Sequence, residues 1–433
     1  MRDWIRAGVI FALLTLTACS GGNCSGENCS RGKNAPKTNN HQSHAPTIKS
    51  PNFKTAPKIL SSAVKWQEVK LNSPAYHFLV GGYEAMAAAE YILQTRYNNY
   101  AGELPMLPGG GSKIPFNPNA KFDPAFIEIA LKGALVHLQR AQKSLERAVD
   151  KDFAVTVNLA ELWLDINANR KRDKGEDLMS MLGDMPWVDD NGIDDKNGKD
   201  SNVRFDTADA NWLAAYTHVL AGSAELILSI DPTPAIKTIT DGRKMLDEKG
   251  NVKRAPYVDQ SENARQLDTI ATVLYMLEGD VDAKRTRLAL AHFQAMIKHN
   301  QAFWSKVALE TDNDREWLPN STQTSAFGGS VSAEIAEGWQ NILSEISDIL
   351  DGKTLIPYWR IERQNTAKTT ANTTGVNLNK FLKHPTSFDA ILLVQGTALA
   401  PFIEKGTVTK MDAIQSFARL TGGRSGLFAI WLN

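Results

Sequence analysis

From Ser332 onward, apolar side chains recur every three or four positions: Ile335, Trp339, Ile342, Ile346 and Ile349, with Gly352 closing the run. An α-helix turns once in 3.6 residues, so this spacing sets the apolar groups on one face, and that face demands a packing partner. A serine at the start can take an unpaired N–H, and a glycine at the end permits the reversed backbone that stops a helix. The pattern repeats elsewhere. Asp123 and Pro124 supply a cap and a first-turn residue ahead of Leu131, Leu135, Leu138 and Leu145. Asp206 can cap a helix with the stripe Leu213, Tyr216, Leu220 and Ile227, stopped by Pro232, and another helix is expected from Asp282 to about Thr311. Strand signals are few: "FAVTVNL" at 153–159, "TLIPYWRI" at 354–361 with an internal proline, and "GLFAIWL" at 426–432. The expected class is mainly α, a helical body with a few short β-strands and no internal repeat of fixed period. Residues 59–433, about 375 in number, exceed an average domain, so one large or two closely packed domains are expected.

The N-terminus is built differently. Arg2 and Arg6 bracket a short charged region, and Gly8 to Leu16 form an apolar run. A bilayer-spanning helix needs about 20 apolar residues, which this run does not reach. It ends in "LTAC", Leu16 to Cys19, a small residue before a cysteine at the close of a signal-type apolar core. These residues resemble the lipobox of bacterial lipoproteins. The resemblance implies that residues 1–18 are a signal peptide, that cleavage falls before Cys19, and that this cysteine is acylated. Several acyl chains, at about 0.8 kcal/mol per buried methylene, would anchor the chain permanently to a membrane. Ser20 stands where retained inner-membrane members often carry Asp, so the same analogy favours the outer membrane.

Residues 19–58 are rich in Asn, Ser, Gly, Lys and Pro and nearly free of apolar groups. Such a segment is expected to be a disordered tether holding the body on the order of 35 Å from the lipid. Six Lys and Arg against Glu27 give it a balance of plus five; with plus one from the signal region and zero overall, residues 59–433 carry minus six. The tether is expected to be solvated, with contact to anionic head groups as the alternative. Cys24 and Cys29 are the other two cysteines, and an oxidising compartment would allow them to close a small loop of little consequence for folding.

One stretch reads as chemistry. In "WLDINANRKRDKGEDL", which starts at Trp163, oxygen-bearing side chains stand at alternate positions, Asp165, Asn167 and Asn169, followed by Asp173 and Glu176. A hard cation needs six to eight oxygens, and these residues fall at positions 1, 3, 5, 9 and 12 of a twelve-residue loop, with the Lys171 carbonyl at position 7. The stretch is similar to the EF-hand or dockerin-like calcium loop over these residues. The resemblance implies a structural calcium site with side-chain ligation by Asp165, Asn167 and Asn169, Asp173 direct or through water, and Glu176 bidentate. Position six is Arg170 where the family has glycine, in a turn that wants φ > 0. Position eight is Arg172 where the family's paired loops place an apolar residue. Arg170, Lys171, Arg172 and Lys174 are expected to point away from the ligands. Downstream, "DDNGIDDKNGKD" at 189–200 packs five aspartates, and twelve acids face seven bases between Asp165 and Asp209. No register there matches the loop, so water-facing solvation is the default, with a second ion as the alternative. "DNDRE" at 312–316 reads as a solvated helix end.

Signatures of catalysis are sparse. The body's histidines are His77, His137, His218, His292, His299 and His384; none lies in HExxH or ExxH, and the GxHxxE of imelysin-type peptidases is absent. His292 and His299 are two helical turns apart and can face the same way, but no carboxylate follows at ligand spacing, so they read as a pair without metal. Ser62 and Lys65 have the spacing of a serine–lysine pair without its companion motifs, and "GGRSG" lacks the nucleophile elbow. Trp187, Trp317 and Trp359 stand beside proline or charge, where aromatics sometimes stack on sugars, although packing is the expected role; Trp339 belongs to an apolar face. An acidic body without a basic stripe argues against nucleic acid. The expected function is therefore a lipid-anchored envelope component that binds or scaffolds other envelope proteins or glycans. The alternative is an envelope hydrolase using Asp189, Asp190, Asp206 or Asp209, since paired carboxylates with separated pKa values can perform acid–base work.

Overall fold

The computed structural model describes residues 69–100, 114–179, 201–249, 260–358 and 373–422, with isolated positions such as Lys65, Leu104, Leu432 and Asn433. The signal peptide, Cys19, Cys24, Cys29, the tether, Ser62, Asp189–Asp200, Trp187 and Trp359 lie outside the described residues.

Helices dominate, as the periodicity predicts. The first, α1 (Pro74–Asn99), starts where Ser73 accepts the Tyr76 N–H and Pro74 supplies a preset φ. It packs along α2 (Phe126–Leu145). The expected start of α2, with its cap at Asp123, moves in by two residues: Asp123 Oδ1 instead accepts the Ala125 N–H and closes an entry turn before the helix. Strand β1 (Ala154–Asn158) pairs antiparallel with β2 (Asn202–Asp206), Ala154 opposite Asp206 and Asn158 opposite Asn202.

Helix α3 (Thr207–Ser229) follows directly from β2, its start fixed by a capping box in which Asp206 accepts the Ala208 N–H and Asp209 accepts the Asp206 N–H. Pro232 separates it from α4 (Thr233–Lys249), as expected. The expected single stripe is corrected, because Leu213, Tyr216, Leu220 and Ile227 are only half-buried while Ala208, Ala210, Ala214, Ala215, Ala221 and Ala224 are buried. The cause is position: α3 contributes to each of the apolar clusters of the body and has neighbours on several sides. Small side chains let those neighbours approach.

Helix α5 (Gln260–Met276) pairs with α4, and α6 (Ala283–Val307), capped by Asp282, packs on α3. The end of α6 comes at Val307 rather than Thr311, because Asn320 Nδ2 takes the Val307 and Glu310 carbonyls at 2.9 and 3.2 Å and turns the chain. Helix α7 (Ala333–Leu350) matches its expected cap at Ser332, its buried face of Trp339, Ile342 and Ile349, and its stop at Gly352, where φ is 75°. Short pieces complete the fold: β3 (Ile356–Pro357), β4 (Thr373–Val376), α8 (Leu378–Lys383), α9 (Ala390–Gln395), β5 (Ile403–Gly406) and α10 (Asp412–Leu420). The three strands form an antiparallel sheet in the order β3-β4-β5. Among the described residues of the strand expected at 354–361, only Ile356 and Pro357 pair as such, and of 426–432 only Leu432 is described, in helical conformation. Among the described residues no single helix is long and apolar enough to cross a membrane.

The main core gathers Val219 of α3, Ile297, Phe303 and Trp304 of α6, Trp339 and Leu343 of α7 and Phe417 of α10. Full burial of each large side chain contributes about 1.5–3 kcal/mol. At its centre Asn300 Oδ1 accepts the Trp339 indole N–H at 2.9 Å, and Asn300 Nδ2 donates to the Leu432 carbonyl at 2.9 Å. Trp339 is thus core, and Trp317 packs against Phe205, Trp212 and Phe327.

Candidate functional site

The twelve-residue loop hangs between two backbone ties. Trp163 and Asp177 form an antiparallel bridge, with Leu164 N–H to the Glu176 carbonyl at 2.8 Å and Leu178 N–H to the Leu162 carbonyl at 3.0 Å. Ile166, fully buried at 0% exposure, pins the first turn to the body. The ends are therefore fixed, and the loop's own polar groups shape the rest.

Those groups turn inward. Asp173 Oδ2 accepts from Asn167 Nδ2 at 2.7 Å and from Asn169 Nδ2 at 2.6 Å, so positions 3, 5 and 9 share a point. Glu176 at position 12 is fully buried; its Oε1 accepts the Ile166 and Asn167 N–H groups at 2.9 and 3.4 Å and its Oε2 the Asp173 N–H at 2.8 Å. Asp165 Oδ2 accepts the Arg170 N–H at 3.0 Å, across to position six. Asp165 Oδ1 is buried without a hydrogen-bond partner among the described residues. Arg170 stands at φ 62°, the left-handed conformation for which the family uses glycine. The side chains of Arg170, Lys171, Arg172 and Lys174 are exposed, as expected. Lys171, the residue expected to offer a carbonyl, donates its N–H to Asn169 Oδ1 at 2.7 Å.

Helix α1 braces the loop from behind. Glu90 accepts the Asp165 N–H at 2.9 Å, and Gln94, one turn on, donates to the Asp165 carbonyl at 2.6 Å. Burial, with the nearby Asp165 and Glu176 carboxylates, pushes the Glu90 carboxyl up to about 7. Two hydrogen-bond donations from the Asn167 and Asn169 amides hold the Asp173 carboxyl below its ordinary range. Sequence reasoning missed Glu90 and Gln94, which stand 75 and 71 residues from Asp165 and carry no local signal.

Among the described residues, no set of three or more His, Cys, Asp or Glu side chains closes on a metal position. The loop's oxygens are divided between carboxylates and amides, and its carboxylates hold backbone N–H groups. Rotating the Asn167 and Asn169 amides by half a turn would bring acceptor oxygens to that point at the cost of the Asn169 and Lys171 N–H bonds that those oxygens now accept.

The other carboxylates take different roles. Asp206 and Asp209 close the start of α3, and burial, then Asp206, raises the Asp209 carboxyl well above its usual range. Of the solvated helix end expected at 312–316, Asp312, Asn313 and Asp314 are exposed, while Arg204 pairs with Asp206, Asp312 and Asp314 at 3.3, 3.3 and 3.7 Å and Glu316 is buried. A cleft of about 370 Å³ lies between α6 and α7, lined by Glu310, Asn320, Glu337 and Gln340, with Asp206 and Asp209 outside its lining. His137 and Glu84 form a buried pair at 2.6 Å between α2 and α1. His292 and His299 do face the same way, and both meet His218 of α3: His218 Nδ1 and His292 Nδ1 are 2.9 Å apart, and the His218 and His299 rings stack at 5.6 Å. Burial lowers all three histidines, with His218, also facing the other two, at about 3.

Comparison with known proteins gives no match, whether to family models, to curated proteins or to solved structures.

Proposed function

We propose that the chain is a lipid-anchored cell-envelope protein whose helical body carries a structural calcium site at Asp165–Glu176 and acts as a binding or scaffolding component. The observation that carries the calcium reading is the meeting of Asn167, Asn169 and Asp173 at one point, with Asp165 and Glu176 tied to backbone N–H groups of the same loop and Arg170 in the left-handed turn that such a loop requires. A buried Asp165 oxygen without a partner among the described residues adds to it, because an unpaired buried carboxylate oxygen is costly and a cation would satisfy it. Exposed cations around the rim weaken affinity, which suits a dissociation constant of about 0.1–1 mM. The site ties strand β1's exit to helix α1 through Glu90 and Gln94, so its role is stiffening rather than chemistry. The anchor rests on the lipobox residues Leu16 to Cys19.

Thermal melts of the chain with 5 mM calcium and with chelator test the site. Such an affinity stabilises by about 1–2 kcal/mol, a melting shift of a few degrees. Asn169→Ala, at the exposed rim, is expected to remove most of the shift. An equal melting temperature in calcium and in chelator overturns the site. For the anchor, Cys19→Ala is expected to release the chain from the membrane fraction, and retention of the variant there overturns that part alone.

A further inference from the structure

His218 on α3 and His292 and His299 on α6 form a cluster that none of the roles above uses. Helices α3 and α6 make the most extensive helix pairing of the body, so the backbone on both sides of the cluster is well supported. Each ring is only half-buried, leaving a route for a small solute. The His218 and His292 Nδ1 atoms face each other at 2.9 Å, which requires one to donate a proton and the other to offer a lone pair.

Four-coordinate zinc takes imidazole nitrogens at about 2.0–2.1 Å, which places two such nitrogens about 3.3 Å apart and their ring centres about 5 Å apart. Here the ring centres of His218 lie 5.2 Å from His292 and 5.6 Å from His299. These two separations suit shared ligation, although as placed the three rings do not close on one metal position. The ring planes do not suit it, since His218 and His299 are parallel within 11°, and ligation needs the His299 ring to turn about its χ2 bond. We propose that His218 and His292, completed by His299, bind one divalent transition-metal ion of the zinc or copper class, the ion taking the place of the proton between the two facing nitrogens.

Chemistry around the cluster agrees. An all-imidazole donor set suits zinc, copper or nickel and gives nothing to calcium, so this site is separate from the Asp165–Glu176 loop. The rings are held neutral by burial, the form that ligates a metal. Glu225, itself paired with Arg285 at 2.7 Å, lies near His292, and Asp150 and Glu146 lie near His299, against Lys298 and Lys306. The seven-residue spacing of His292 and His299 is two helical turns, and α3 brings the third ring between them.

The test uses the full chain, stripped with chelator and given zinc or copper(II) in separate experiments. Bound ion is counted after desalting, and copper is read by electron paramagnetic resonance. Wild type is expected to hold one ion more than His218→Gln or His292→Gln, each weakening that ion at least tenfold, with a smaller loss in His299→Gln. Copper should show nitrogen hyperfine lines that His218→Gln removes. The difference from each variant excludes ions held by the N-terminal cysteines and histidines. Should His218→Gln fail to fold by circular dichroism, diethyl pyrocarbonate labelling of wild type decides instead: zinc should slow modification of His218 and His292 at least fivefold. Equal metal uptake by wild type and folded variants, or labelling unchanged by zinc, overturns the proposal.

Discussion

Arg170 shows how one residue sets the quality of a site. Left-handed backbone costs a residue with a Cβ about 1–2 kcal/mol, and Arg170 adopts φ 62° because its N–H is held by Asp165 and the flanking Asn167 and Asn169 close their own tight turns. Arg170→Gly removes that strain, while the freer unfolded chain takes back about 0.5–1 kcal/mol. The net expectation is a gain of about 0.5–1 kcal/mol in urea unfolding and, at the proposed calcium site, tighter binding through loss of a rim cation; a less stable variant would show that the arginine side chain holds the turn. Asn300 works in the opposite sense. Buried at 0% exposure, it joins the Trp339 indole to the Leu432 carbonyl, and Asn300→Ala strands the indole N–H while leaving Leu432 only the Trp304 N–H at 3.3 Å. A loss of about 2–4 kcal/mol is expected from the unpaired polar groups and the void together. A loss under half a kcal/mol in the same unfolding measurement would mean that water replaces the side chain without cost.

At the scale of elements, two glycines separate propensity from packing. Gly133 lies in α2 where a Cβ would fall 1.9 Å from the Tyr91 ring of α1, whereas Gly242 in α4 has nothing within 4 Å. Alanine improves an exposed helix interior by about 0.5–1 kcal/mol, so Gly242→Ala should stabilise by that amount. Gly133→Ala gains the same propensity but forces α1 and α2 apart, and a net loss of about 1–3 kcal/mol is expected. Paired melts check both, and equal shifts would deny that α1 and α2 meet at Tyr91. The contrast also explains what the sequence could convey. Helix α7 was legible because its apolar face packs on one side only, with Ser332 and Gly352 marking its ends. Helix α1 carries two adjacent glycines and buries Glu84 against His137, so its pattern lacks a clean stripe. The cap at Asp206 marks the start of helix α3 in the sequence, but its spaced large apolar residues do not mark its buried surface, because alanines meet its neighbours. The loop's polar residues are legible because they sit in one contiguous run, while Glu90 and His218 reach their partners across 75 and 74 residues, beyond any local spacing.

At the scale of the molecule, several acidic groups of the described residues are folded together where they work against one another. The start of α3 and the segment after α6 bring Asp206, Asp209, Glu310, Asp312 and Glu316 into mutual influence, with Arg204 reaching Asp206, Asp312 and Asp314. Glu310 feels this most plainly: burial, then the charge of Asp206, pushes its carboxyl up to about 7. A carboxyl whose folded pKa lies above its unfolded value binds its proton more tightly in the native state. Its contribution to stability is full below pH of about 4.5 and is lost as pH rises through about 7. Glu310→Gln keeps an oxygen for the Gln323 amide, now at 3.3 Å, and removes the ionisation. The variant should match wild type near pH 4.5 and melt higher at pH 8, so that the gap between them opens with rising pH. Because both proteins share every other titrating group, the histidines included, the gap isolates Glu310. A gap that stays constant from pH 4.5 to 8 would mean that solvent screens this carboxyl from its acidic neighbours, and that the crowding of charge between α3 and α6 carries no cost in the folded body.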